Sequence, residues 1–391
     1  MVLLQVTPRL EAGGVEQVTL DIARAAARAG ATSLVASAGG GMERDLLRGG
    51  ARLARLPLNA KDPIRLALNA LRLWRLIRRE RVDLVHVRSR APALSALLAC
   101  RAARVPLVAT YHGIYAAGST PKRLYNRVMT KGCAVIANSQ FTRDHVLAEH
   151  PAAATRLHVV PEGIDVARFD PAAVPMSRVL DARRAMGLAE DVSAPVILLA
   201  ARLTGWKGQA FMIETLARLS PDRLIGEPPV LVLAGSEERA GEARRLADLA
   251  ERLGLGARVR LPGPLEDMPA AYLAADLVVA PSTAPESFGR GVAEAGAMGA
   301  AVIASDLGAV TETVRPGVTG WLVPPGDAEA WTQALITALN LPRETRARLG
   351  QAARTHIAAN HSLERMVAAS FTLYRQVLET WPHPPGRNLT A

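Results

Sequence analysis

Only two of the 391 residues are cysteine, Cys100 and Cys133, and both lie in apolar segments. That excludes a disulfide framework and a cysteine-based zinc site. Aromatic residues are equally sparse at 4%, too few for a surface on which nucleic-acid bases stack, and no nucleic-acid-binding module is recognisable. No run of about 18 uncharged apolar residues occurs. The opening "MVLLQVTPRLEAGG" lacks a basic stretch followed by a long apolar core. The expectation is therefore a cytoplasmic protein, in peripheral contact with the inner face of an anionic membrane rather than crossing it. There is no Asp-x-Asp triplet to hold a divalent ion, and no G-x-G-x-x-G follows a strand and opens a helix. The second absence argues against a nicotinamide dehydrogenase.

What remains is a globular composition, with 49% hydrophobic and 21% charged residues, in a chain longer than one core usually organises. Two domains are expected. The formal net charge of +11 is uneven: residues 1–175 hold 25 Lys/Arg against 13 Asp/Glu, and the remainder 22 against 23. A basic half beside a neutral one points to an anionic partner, or to surfaces simply decorated with arginine.

Short Val/Leu/Ile runs alternate with segments of helical period, the pattern of βαβ units on a parallel sheet. "LLQVT", "TSLVAS", "ARLARLPL", "DLVHV", "PLVATYH", "AVIANS" and "LHVVP" form a first series of strands. "PVILLAARL", "PPVLVLAGS", "ARVRLPG", "DLVVAPS" and "AVIAS" form a second. The break near residues 170–180, with Pro171 and Pro175, predicts domains of 1–175 and 176–362. Two doubly wound Rossmann-like domains would face a central cleft, with ligands at the carboxyl ends of their strands. Helical segments close the chain, and the last, 363–381, is expected to cross back to the first domain.

Three post-strand loops carry chemistry. In "EAGGVEQ", Gly13 and Gly14 precede a helix, and adjacent glycines let backbone amides approach a ligand. In "ARLTGWKG", Arg202 and Lys207 flank a turn, a fork and a point charge suited to a diphosphate or to plain solvation. In "APESFGRGVAEAGAMG", Pro285 and Gly289 hold Ser287 and Phe288 out of regular structure before a short helix, which aims free amides at an anion. Glu286 and Glu294 then offer acceptor oxygens to hydroxyls on either side of it. A plainer role for Glu294 is to stabilise a helix dipole.

Taken together, "EAGGVEQ", "TYHGIY", "VVPEGIDVARFDP", "ARLTGWKG" and "APESFGRGVAEAGAMGAAVIASDLGAVTETV" resemble the retaining nucleotide-sugar glycosyltransferases of the GT-B fold, in the group called family 4. The likeness runs from about residue 5 to about residue 325, and its specific element is the E-x7-E pair Glu286 and Glu294. The resemblance implies that Glu286 contacts the donor sugar and Glu294 the ribose, and that Arg202 and Lys207 hold the diphosphate. It likewise places the amides of Phe288 and Gly289, and the Gly13–Gly14 loop, near phosphate and sugar, and His112 facing the donor sugar. The first domain would bind the acceptor and the second the nucleotide sugar, UDP- or GDP-linked, with no other cofactor. Turnover in EDTA is expected, since the missing Asp-x-Asp is the metal-holding element of the GT-A class. One departure stands out: where the family often has Asn-Gly-Ile-Asp, this chain has "EGID" with Glu162.

A narrower likeness, over "TYHGIY" and "KRLYNRVMTKGCAVIANSQFTRDHV", is to bacterial enzymes that build the lipopolysaccharide core, some of which transfer mannose. It implies an anionic glycolipid or core acceptor. In "IRLALNALRLWRLIRRERVD", Ile64, Leu68, Leu71, Trp74 and Leu76 are interleaved with Arg65, Arg72, Arg75, Arg78, Arg79 and Arg81. That mix suits a helix lying on an anionic membrane, and equally a core-packed helix with a solvated basic face. A nucleotide-sugar epimerase or hydrolase of the same fold, and a non-catalytic sugar-binding protein, are the alternatives.

Overall fold

The computed structural model describes residues 1–11, 13–60, 62–115, 119–188 and 193–382. By internal contacts the chain divides into two units, Met1–Glu162 with Leu363–Ala391, and Gly163–Ser362. The division precedes the expected one because residues 163–175 pack within the second unit. The Ile164 amide donates to the His361 carbonyl at 2.8 Å, Phe169 packs against Tyr272, and Arg354 reaches Asp170 at 2.7 Å.

The first unit holds seven strands: β1 (Val2–Val6), β2 (Thr32–Ser37), β3 (Arg52–Arg55), β4 (Leu84–Val87), β5 (Leu107–Tyr111), β6 (Ala134–Ala137) and β7 (Leu157–Val159). They pair in parallel in the order β3-β2-β1-β4-β5-β6-β7. The second unit holds β8 (Val196–Ala200), β9 (Val230–Ala234), β10 (Val259–Gly263), β11 (Leu277–Ala280), β12 (Val302–Ser305) and β13 (Trp321–Val323). Their order is β10-β9-β8-β11-β12-β13, again parallel. The winding direction reverses between β1 and β4 in one sheet and between β8 and β11 in the other. Those switch points are where doubly wound sheets open a crevice at their carboxyl ends.

The central strands are apolar on both faces because helices cover both, which is why they read as unbroken runs. Among the described residues the sequence reading named twelve of the thirteen strands, though β3 and β10 are neither continuous apolar runs nor fully buried. The thirteenth, β13, is a three-residue edge strand behind a turn.

Some helix starts are capped by a side chain and others, of several kinds, are not. Asp62, Ser139, Asp267 and Asp327 each accept a hydrogen bond from the amide three residues on, satisfying a donor the helix leaves orphaned. The helices Gly14–Arg28, Gln209–Ala217 and Arg290–Ala297, which follow β1, β8 and β11, begin at Gly13, Gly208 and Gly289 with no side-chain cap.

Helix Pro63–Arg79 corrects part of the sequence reading. Leu76 is buried with Leu73 and Ile77, and Trp74 packs against the same core, so these two are not available to a membrane. Ile64, Leu68 and Leu71 are exposed.

The final helix, Leu363–Thr380, belongs to the first unit, burying Met366, Leu373 and Tyr374 against Leu3, Val18 and Ile136. Its Tyr374 hydroxyl lies 2.6 Å from Nδ1 of His86 in β4, whose Nε2 is 2.6 Å from Thr110 Oγ1. Burial, reinforced by Arg88, holds His86 well below the usual imidazole range, so it is neutral. Burial likewise pushes the Tyr374 phenol up to about 12. Tyr374→Phe strands one nitrogen of a buried imidazole, and urea unfolding of the variant is expected to show a loss of about 1–3 kcal/mol.

Candidate functional site

In the second unit, the loop after β8 and the loop after β11 are fastened to each other. Gly208 has φ +79°, and a Cβ there would stand 2.3 Å from the Pro281 carbonyl oxygen, so only glycine permits this approach. The Thr283 amide donates to the Trp206 carbonyl at 2.8 Å, and Gln209 Nε2 donates to the Arg202 carbonyl at 2.9 Å. This fastening brings Lys207 Nζ to 2.8 Å from Glu286 Oε1 and to 4.4 Å from the centroid of the Trp206 ring.

Ser282 Oγ donates to the same Glu286 oxygen at 2.6 Å, and the Glu286 carbonyl accepts from the Ala309 amide at 2.8 Å. Both charged side chains keep a little solvent contact, 17% and 14%, so the pair is reachable from a small cavity that Tyr272, Ser282 and Gly289 also line. Gly289, at φ +81°, turns the chain into helix Arg290–Ala297, and a Cβ would stand 2.7 Å from Val310 Cγ2. Phe288 is buried against His361 and anchors that turn.

One helical turn further in, Glu294 accepts from the Tyr272 hydroxyl at 3.2 Å and lies 3.7 Å from Arg290. Burial raises the Glu294 carboxyl against the opposing pull of Arg290, and burial beside Glu294 raises the Tyr272 phenol well above its ordinary range. The structure thus groups Lys207, Glu286, Phe288, Gly289 and Glu294 around the uncapped start of one helix. Arg202 stands apart from the cavity lining, its exposed guanidinium 4.0 Å from Glu238.

Gly13, Gly14 and His112 belong to the first unit. Gly13 is extended, with φ 177°, a conformation open to any residue. His112 sits in a buried polar chain that sequence reasoning did not find as a whole. Arg88, just beyond β4 and 2% exposed, donates through Nε to Gln5 Oε1 at 2.6 Å and lies 3.5 Å from His112 Nε2. His112 Nδ1 is 3.7 Å from Glu162 Oε2, with both side chains nearly buried. Asn138 Nδ2 donates to Glu162 Oε2 at 3.0 Å.

Burial pushes the Arg88 pKa down, while Tyr374, Glu162 and Asp21 oppose the shift. A guanidinium does not surrender its proton, so a buried one demands negative charge nearby. The Glu162 carboxylate supplies part of it, which an amide at that position would not. This is a physical reason for the Glu-Gly-Ile-Asp departure. Ser282 and Tyr272 were also missed. Tyr272 comes from helix Met268–Leu273, and no local signal ties it to Glu294.

Parallel sheets of seven and six strands, each reversing its winding before a helix that starts at a glycine with no side-chain cap, match the GT-B class of fold. The comparisons agree. The model of Glycosyltransferase Family 4 matches residues 12–168, and that of Glycosyl transferases group 1 matches residues 186–356. The chain belongs to this glycosyltransferase family. It is similar to the D-inositol 3-phosphate glycosyltransferase of Salinispora arenicola, 34% identical over 71% of this chain and 65% of that one. The alignment thus spans just under two thirds of that relative's length. Among solved structures, a glycosyltransferase from Rickettsia africae superposes with a TM-score of 0.87 at 29% identity, covering 97% and 99% of the two chains. Anabaena HepE in complex with UDP-glucose gives 0.82 at 25% identity, over 96% and 100%.

Glu162→Gln removes part of the negative charge that offsets buried Arg88 and alters a carboxylate that accepts from Asn138, and thermal or urea unfolding is expected to show a loss of about 1–3 kcal/mol. Pairing it with Arg88→Met is expected to recover much of that loss, which a double-mutant cycle measures.

Proposed function

We propose that this chain is a retaining, metal-independent hexosyltransferase that uses a UDP- or GDP-linked sugar. The observation that carries the reading is the Lys207–Glu286 pair, 2.8 Å apart and open to a cavity at the uncapped start of helix Arg290–Ala297. A helix start with no side-chain cap and a lysine beside it suit a diphosphate, while carboxylates suit the hydroxyls on either side of it. Anabaena HepE, of the same fold, holds UDP-glucose, which favours a uridine donor.

In this proposal Lys207 and the amides around Gly289 stabilise charge growing on the leaving phosphate. Arg202 joins them by leaving Glu238. Glu286 orients the sugar and Glu294 the ribose. His112, held between Arg88 and Glu162, contacts the donor sugar in this proposal. As the bond from the sugar's anomeric carbon to the diphosphate breaks, the acceptor oxygen bonds to that carbon on the same face. The acceptor's proton passes to the departing phosphate.

For the acceptor we propose an anionic glycolipid or lipopolysaccharide core, with mannose among the sugars transferred. The first unit supports this with 27 Lys/Arg against 13 Asp/Glu, beside 20 against 23 in the second. The name of the Salinispora relative favours a second reading, a small phosphorylated cyclitol. Peripheral attachment on the cytoplasmic side of a membrane is part of the first reading. Ile64, Leu68 and Leu71 are exposed on helix Pro63–Arg79 beside Arg65, Arg72 and Arg75, and among the described residues no helix is long and apolar enough to cross a bilayer.

Assays with UDP-glucose and GDP-mannose in EDTA, against a phosphorylated glycolipid and an inositol phosphate, distinguish these readings. Lys207→Ala is expected to lower kcat at least about tenfold, the scale of losing one donor to a developing charge. Unchanged turnover in the variant removes the lysine from the chemistry, and a strict Mn²⁺ requirement removes the metal-independent mechanism. For attachment, co-sedimentation with phosphatidylglycerol but not phosphatidylcholine vesicles is expected, and its loss when Arg65, Arg72 and Arg75 are changed to Glu.

A further inference from the structure

A second concave site lies on the first unit, away from the carboxyl ends of its strands. Helix Thr120–Arg127 and the short turn Val128–Thr130 lead down to β6, and helix Gln140–Glu149 leads through Pro151–Arg156 to β7. Between them is a groove of about 570 Å³. Lys131 stands three residues before β6 and Arg156 one residue before β7, so the groove belongs to the amino-terminal side of the sheet. The volume is that of a small-ligand site.

Its charge is one-sided. Arg123, Arg127, Lys131 and Arg156 line it, against the single carboxylate of Glu149, which Arg123 already holds at 3.2 Å. Among the described residues neither Arg127 nor Lys131 has an acidic partner within salt-bridge distance. Two buried nitrogens lining the groove also lack a hydrogen-bond partner among those residues: Nε2 of His150, a side chain 7% exposed, and Nε of Arg156. A buried polar atom left unmade is costly, and here two occur together under a cationic rim. Burial holds His150 below the usual imidazole range; Glu149 opposes the shift, while Arg127, His145 and Arg123 add to it.

We propose that this groove binds the terminal phosphate monoester of a ligand, with Arg127, Lys131 and Arg156 on its oxygens and His150 beneath. Arginine forks match phosphate geometry, and lysine adds a point charge. Leu124, 67% exposed, with Pro151 and Ala152, gives the groove an apolar wall beside the cations. A monoester on a lipid and a monoester on a soluble metabolite share this chemistry, and the wall is what separates them.

The test is side-chain NMR of the full chain labelled with ¹⁵N-histidine, the His150 signal being assigned with His150→Gln. Inorganic phosphate, glycerol 3-phosphate and dihexanoyl phosphatidate are titrated in turn. A saturable shift at His150 is expected. Arg127→Ala with Lys131→Ala is expected to weaken it at least tenfold while leaving the thermal melt unchanged, and Lys207→Ala, at the other site, is expected to leave it intact. Phosphatidate binding tenfold tighter than glycerol 3-phosphate assigns the groove to a lipid headgroup, and equal binding assigns it to a soluble monoester. No saturable shift with any of the three, a shift that the double variant keeps, or one that only Lys207→Ala removes overturns the proposal.

Discussion

Parallel pairing is the constraint from which the rest follows. Within each sheet every strand runs the same way, so each connection crosses back over a face, and that sheet's post-strand loops emerge at one edge. Where the winding reverses, two such loops diverge and leave a crevice. Residues as far apart in sequence as Lys207 and Glu286 meet because the loops of β8 and β11 flank that reversal. The approach then depends on backbone detail. Gly208 lets one loop touch the Pro281 carbonyl, and the Thr283–Trp206 hydrogen bond holds it there.

Much of this was legible in the sequence because burial on both faces writes a strand as a continuous apolar run. The loops were legible because glycine and charge cluster directly after those runs. What stayed hidden depends on distance in the chain. Tyr272 is an ordinary helical tyrosine until the fold sets its hydroxyl on Glu294. Arg88 is one of many arginines in a basic half, and nothing local marks it as the one that is buried. The domain boundary was misplaced for a related reason. Pro171 and Pro175 do break the pattern, but residues 163–175 are bound by partners such as His361 and Arg354, nearly two hundred positions away.

Helix Pro63–Arg79 shows where periodicity alone runs short. Its apolar residues cover more than one face, and sequence cannot say which of them the core takes. The structure gives Leu73, Leu76 and Ile77 to the core and leaves Ile64, Leu68 and Leu71 at the surface. Only the first turns of the helix therefore present apolar and basic groups together, a smaller footprint than the whole segment implied.

The two units handle charge in opposite ways, and the difference bears on what each does. In the first, Arg88 is sealed, and Gln5, His112 and Glu162 are arranged around it. The energetic penalty of exposing or unpairing such a group makes the cluster a fixed scaffold. In the second, Lys207 and Glu286 neutralise each other while still touching solvent. An arriving anion finds a lysine whose present partner is a carboxylate, and a carboxylate that hydroxyls can satisfy instead. A ligand that carries both an anion and hydroxyls can satisfy both halves of that pair at once, whereas a bare anion leaves Glu286 without its cation. Under the proposed reading, that pair selects for the two features in combination.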